Sequence, residues 1–152
     1  MELEFIPTKV FMLEALQLAQ IAFDKGEVPV GAVVVRNCEI IGRGRNRREC
    51  DKNATAHAEI EAINEACKNL KSWRLNGCEL YVTLEPCPMC AGAIINSRID
   101  TVVYGADDDK AGSCGSLVNL FSLAYNHSPK LIRGFMEWES REILQSFFKK
   151  LR

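Results

Sequence analysis

The run Glu79-Leu80-Tyr81-Val82-Thr83-Leu84-Glu85-Pro86-Cys87-Pro88-Met89-Cys90 reads as a strand, a turn and the opening of a helix. Residues 79–83 are mostly β-branched, aromatic or apolar, as a strand requires. Pro88 suits the first position of a helix, because its missing N–H is one the helix cannot use there. A helix from Pro88 to Ser97 would carry Cys87 and Cys90 at its N-terminus. Three residues apart, they share one face. Unpaired N–H groups and the positive end of the helix dipole favour thiolate there. Alone, this Cys-x-x-Cys remains open between a redox pair and half of a structural metal knuckle. A knuckle needs a second pair, and Cys38, Cys50, Cys67, Cys78 and Cys114 are scattered singly.

A second stretch, Thr55-Ala56-His57-Ala58-Glu59, adds one imidazole and one carboxylate. His57, Cys87 and Cys90 make three metal ligands. Structural zinc sites close with four protein ligands, whereas catalytic ones keep three and leave a position for water. In a regular helix His57 and Glu59 would point about 200° apart. For both to serve one site, the segment must lie at a helix entrance, and the polar stretch from Asn46 to Ala54 before it allows that.

Outward from these stretches, the spacing predicts a helix over 9–25 after Thr8 as N-cap, with Val10, Leu13, Leu16 or Gln17, Ala19 or Gln20, and Phe23 near helical spacing. Val30–Val35 reads as a buried strand, Asn37–Glu39 as a turn and Glu39–Arg45 as its hairpin partner. A helix follows over 57–69. Thr101–Gly105 is a strand, 116–123 a short helix, 130–134 a weak strand and 139–152 a terminal helix. This order, with helices after most strands, implies a mixed sheet with helices on both faces. No internal repeat or linker breaks the 152 residues, so one domain, 1–152, is expected.

Net charge is −1, so any nucleic-acid partner must be held by a local patch and a shaped pocket. The acidic N-terminus lacks the pattern of a secretory signal, and no apolar run approaches the roughly 18 residues of a membrane span. Seven cysteines, an odd count, argue for a reducing cytoplasm over a disulfide framework.

His57-Ala58-Glu59 followed by Pro86-Cys87-Pro88-Met89-Cys90 matches the signature of the zinc-dependent nucleobase deaminases. The likeness is finer still. Glu27-Val28-Pro29-Val30-Gly31-Ala32, Gly44-Arg45-Asn46, Thr55–Ile60, Tyr81–Ile94 and Val103-Tyr104-Gly105-Ala106 resemble the bacterial tRNA-specific adenosine deaminases over nearly the whole chain. The resemblance implies a cytidine deaminase-like three-layer α/β/α sandwich around a five-stranded mixed sheet. It implies a homodimer, one zinc ion per subunit, and conversion of the wobble adenosine (position 34) of an arginine tRNA to inosine. On this sequence, His57, Cys87 and Cys90 would hold zinc and Glu59 would shuttle protons. Asn46 matches the family's base-contacting asparagine, although an unaligned Asn there reads as a turn residue. Pro29, Val30 and Leu84 would wall the base pocket, or serve as ordinary core. Asp108 would meet the RNA sugar, or simply order a polar loop. One of Phe147 and Phe148 should be core, leaving the other to stack on a base or cover the dimer. Arg43, Arg45, Arg47 and Arg48 form a basic cluster beside Asn46. Two rivals stand beside this reading: a guanine, cytosine or nucleoside deaminase of the same fold, and a non-catalytic zinc-stabilised RNA-binding module in which Glu59 is dispensable.

Overall fold

The apolar run after Pro29 forms β1 (Gly31–Arg36), buried along all but its last residue. The computed structural model describes residues 4–151; Met1–Leu3, and Arg152 at the expected end of the last helix, lie outside the described residues. Asn37 and Cys38, both at positive φ (50° and 63°), turn the chain into β2 (Glu39–Arg45). Two successive left-handed residues match the twist of a hairpin, and β1 and β2 pair antiparallel. β3 (Cys78–Leu84) pairs antiparallel with β1 and parallel with β4 (Thr101–Ala106), which pairs parallel with the short β5 (Lys130–Ile132). The sheet order is β2-β1-β3-β4-β5.

Four helices cover the sheet: α1 (Lys9–Asp24), α2 (Ala58–Leu70), α3 (Pro88–Ser97) and α4 (Glu137–Lys150). Alternate strand residues feed two cores. Ala32, Val34, Leu80, Val82 and Val102 face α2 and α3. Val33, Val35, Tyr81 and Val103 face Met12 and Ala15 of α1, and α4 lies on the same side, with Ser140 against Gly105. The result is the expected three-layer α/β/α sandwich around a five-stranded mixed sheet. All seven cysteines are free.

The expected helix is present with Ala19 on its buried face, but the places given to Val10 and Leu13 are corrected. The helix buries Met12, Ala15, Ala19 and Ala22, while Val10 and Leu13 are about half exposed. The reason is a close approach. A Cβ on Gly31 would fall on the Ala15 carbonyl oxygen and lie 2.7 Å from the Ala19 amide nitrogen. Only alanines on the helix and a glycine on the strand allow that spacing. Gly44 plays the same part beneath α2, where a Cβ would lie 2.7 Å from the Ala62 nitrogen.

The short helix expected over 116–123 shrinks to one 3-10 turn, Leu120–Ser122. Cys114 and Asn119 pair as a bridge, the Leu120 amide donates to the Ser113 carbonyl at 2.9 Å, and the Asn119 side chain accepts from the Phe121 amide at 3.1 Å. These local partners outcompete helical hydrogen bonds.

Candidate active site

Because β1 runs against both β2 and β3, the start of β1 and the ends of β2, β3 and β4 meet at one end of the sheet. A cavity of about 460 Å³ opens there, a size ordinary for a small-molecule site. Val28, Val30 and Leu84 supply apolar wall; His57, Glu59 and Cys87 line its depth; Asp107–Ala111 and Phe148 of α4 form its rim.

Both metal-ligand stretches sit at helix entrances. His57 is the N-cap of α2 with extended φ/ψ (−85°, 154°), so Glu59 falls in the first turn. Leaving the helix at residue 57 removes the 200° divergence of a regular helix. Cys87 is the N-cap of α3, with Pro88 behind it and Cys90 in its first turn. His57 Nδ1 lies 3.6 Å from Cys87 Sγ and 3.5 Å from Cys90 Sγ. A tetrahedral ion with bonds of about 2.3 Å to sulfur and 2.0–2.1 Å to nitrogen separates such atoms by about 3.6 Å. The three side chains therefore fit a tetrahedral metal ion. Among the described residues, no other group of three or more metal-capable side chains lies so close together.

The arrangement already favours deprotonated sulfur at one of the two cysteines, Cys87. The Cys90 thiol donates to Cys87 and, together with His57, holds the Cys87 sulfur at about 4 against the opposing effect of burial. That same hydrogen bond, with burial, pushes Cys90 far up. The contact with Cys87 also raises His57 above its ordinary value, against burial and aided by the charge of Glu59. A bound cation displaces these protons, since thiolate and neutral imidazole are the ligand forms. Glu59 is 4% exposed. Burial pushes its carboxyl up to about 7, and Cys87 adds to the rise. A carboxyl poised near neutrality is suited to passing protons in both directions.

Two buried carboxylates hold the walls. Glu85, 2% exposed, accepts from the amides of Asp108, Cys114 and Ser116 at 3.0 Å each, and from the Ser116 hydroxyl. Glu27, fully buried, accepts from the Glu49 and Cys50 amides at 3.0 and 2.7 Å. These two residues carry no chemistry in the sequence reading. The signal that marks them is an acidic residue at the border of an apolar strand, where only a buried set of donors makes it tolerable.

A family model, MafB19-like deaminase, matches residues 7–152. The tRNA-specific adenosine deaminase of Bacillus subtilis is 50% identical over 145 residues, covering 95% of this chain and 90% of that protein. The chain belongs to the tRNA-specific adenosine deaminase family. A solved structure from work on A-to-I editing by tRNA:A34 deaminases at the wobble position of transfer RNA is 46% identical. It superposes with a TM-score of 0.87, over 90% of this chain and 100% of that one. The guanine deaminase of Bacillus subtilis shares the fold more distantly, at 33% identity and a TM-score of 0.65 over 95% of each chain.

In this deaminase the cavity brings together most of the residues singled out from sequence: Asn46, Val30, His57, Glu59, Leu84 and Cys87, with Asp108 and Phe148 at the rim. Cys90 is buried behind them. Pro29 is not brought there. It is buried behind the wall, and Val28 lines the cavity instead, because side chains alternate along an extended segment. Asn46 is both turn and pocket. Its amide nitrogen donates to the Val28 carbonyl and its oxygen accepts from the Arg48 amide, each at 3.2 Å. Asp108 orders its own loop by accepting from the Lys110 and Ala111 amides. Phe147 is the core member of its pair and Phe148 the exposed one. Of the basic cluster only Arg48 lines the cavity, joined by Lys110, which the sequence reading passed over.

Proposed function

We propose that this chain hydrolyses adenosine to inosine and ammonia at the wobble position, 34, of a tRNA anticodon. The observation that carries the reading is Glu59: a buried carboxylate in the cavity, beside three metal donors that leave a tetrahedral ion one open position. A purely structural centre has no use for it.

His57, Cys87 and Cys90 would hold one zinc ion. Zinc bound there would supply hydroxide at neutral pH, because coordination lowers the pKa of water to about 7. Glu59 takes up a proton at its carboxylate, gives one to the purine ring as C6 becomes tetrahedral, and assists departure of the amine as ammonia. Asn46, whose orientation is set by Val28 and Arg48, keeps one N–H and one lone pair for an edge of the purine. Val30 and Leu84 sandwich the base, Asp108 accepts from a ribose 2′-hydroxyl, and Phe148 stacks on a neighbouring base. Arg48 and Lys110 face the phosphates. A homodimer, the cytoplasm and an arginine tRNA complete the proposal; these rest on the resemblance to the family.

The test is inosine formation in an anticodon stem-loop by wild type and Glu59→Gln, alongside guanine, cytosine and cytidine. Wild type is expected to act on the stem-loop. Glu59→Gln should keep its zinc and lose turnover by a factor on the order of 10²–10⁴. Activity confined to the small molecules, or a near wild-type mutant, overturns the reading.

A further inference from the structure

The cavity rim carries Asp107, Asp108 and Asp109 in succession, an adverse arrangement for an enzyme whose substrate is a polyanion. The structure deals with Asp107 in a specific way. Tyr104, whose residue is fully buried, donates its hydroxyl to Asp107 Oδ1 at 2.8 Å. The same hydroxyl oxygen accepts from Arg133 Nε at 2.6 Å, and Arg133 Nη2 reaches Asp107 Oδ1 at 3.3 Å. Three side chains thus close a ring around one carboxylate oxygen. Burial, with the hydrogen bond to Asp107, raises Tyr104 well above the ordinary phenol range, so it remains a donor.

The loop is shaped to admit the guanidinium. A Cβ on Gly115 would lie 2.6 Å from Arg133 Cζ, and Gly115 has φ of +135°. The residues on either side of Gly115, Cys114 and Ser116, give their amides to Glu85. Arg133 follows β5 and Asp107 follows β4, so the ring also ties two neighbouring strand ends together. Arg133 does not line the cavity; it acts through Asp107.

We propose that Arg133 and Tyr104 are positioning residues for RNA: they neutralise and immobilise the Asp107 carboxylate, so the rim loop meets the strand without repelling its phosphates. This deepens the tRNA deaminase reading and rests on it. The carboxylate of Asp107 is half exposed. Released from its partners, it turns toward the cavity mouth and cancels the attraction of Arg48 or Lys110. Charges at such exposure act over a Debye length of about 8–10 Å and weaken with salt.

The experiment measures stem-loop binding by fluorescence anisotropy, together with kcat and KM, on zinc-loaded protein at about 50 and 300 mM salt. Arg133→Gln is expected to weaken binding and raise KM on the order of three- to tenfold at low salt, with kcat changing less and the defect shrinking at high salt. Arg133→Lys, which keeps the charge, recovers most of the binding. Tyr104→Phe gives a smaller defect of the same kind and serves as the second variant should Arg133→Gln fail to fold. The decisive arm is the double variant Arg133→Gln with Asp107→Asn. If the freed carboxylate is what repels RNA, the double variant binds as wild type does. If it is as impaired as Arg133→Gln, or if Arg133→Gln binds normally, the inference fails while the deaminase reading stands. If wild type neither binds nor converts the stem-loop, the deaminase reading fails and the inference with it.

Discussion

Glu85→Gln removes one atom's worth of acceptor from a buried carboxylate that has none to spare. Oε1 receives the Asp108 amide and the Ser116 hydroxyl; Oε2 receives the Cys114 and Ser116 amides. The carboxamide has a single oxygen. Its best orientation keeps that oxygen on Cys114 and Ser116 and turns its NH₂ toward Asp108 and the hydroxyl. The hydroxyl can rotate to accept; the Asp108 amide cannot. One buried donor is left unpaired, at about 1–3 kcal/mol, and the surviving bonds lose their charge assistance. A total near 3 kcal/mol follows, which in a chain of 152 residues lowers Tm by roughly 6–12 °C. Urea unfolding of metal-loaded protein should show a lower midpoint at unchanged slope, since the surface exposed on unfolding is the same. KM for the stem-loop should rise in parallel, because the released amide belongs to the rim. A loss below about 0.5 kcal/mol would mean that the loop has its shape without Glu85.

Gly31→Ala should cost at least about 3 kcal/mol in thermal melts, because the new methyl meets α1 backbone, which cannot rotate away; a neutral result would show that α1 can slide off β1. Burial pushes the Glu27 carboxyl up, but amides of Cys50 and Glu49 outweigh it and hold it below its ordinary value of 4.5. Its contribution is therefore present above that value and lost as the pH falls through the folded-state value. Glu27→Gln should be less stable than wild type by about 1–3 kcal/mol at pH 6, with the gap narrowing on acidification below 4.5; a gap that is constant with pH refutes the assignment. Cys90→Ser should lower zinc content measured by mass spectrometry, and full occupancy would remove it from the ligand set.

The site was legible in sequence because its parts are local. A ligand at a helix N-cap, a proline behind it and a strand in front are all neighbours along the chain, and the Cys87–Cys90 and His57–Glu59 segments landed as the spacing predicted. The hairpin at Asn37 and Cys38 was readable for the same reason. What the sequence hid is relational. The face of α1 could not be chosen from its own residues, since Val10 and Leu13 are as apolar as Met12; the choice belongs to Gly31, across the sheet. The helix expected over 116–123 failed because the Leu120 amide, which would have to donate to the Ser116 carbonyl, donates instead to the Ser113 carbonyl, on a segment whose Cys114 and Ser116 amides are already held by Glu85. Pro29 and Val28 differ only in which side of an extended segment faces the cavity, and a one-residue phase is the hardest thing to read without a partner strand.

The three metal donors come from residues 30 and 33 apart. Any ion they hold is therefore also a knot in the chain, fastening α2, β3 and α3 into a closed loop. A cross-link around a loop of that length withholds roughly 3–4 kcal/mol of freedom from the unfolded chain. Starvation for metal would then do more than silence the enzyme. It would unfasten the segment that forms the middle of the sheet and shorten the protein's lifetime against proteases.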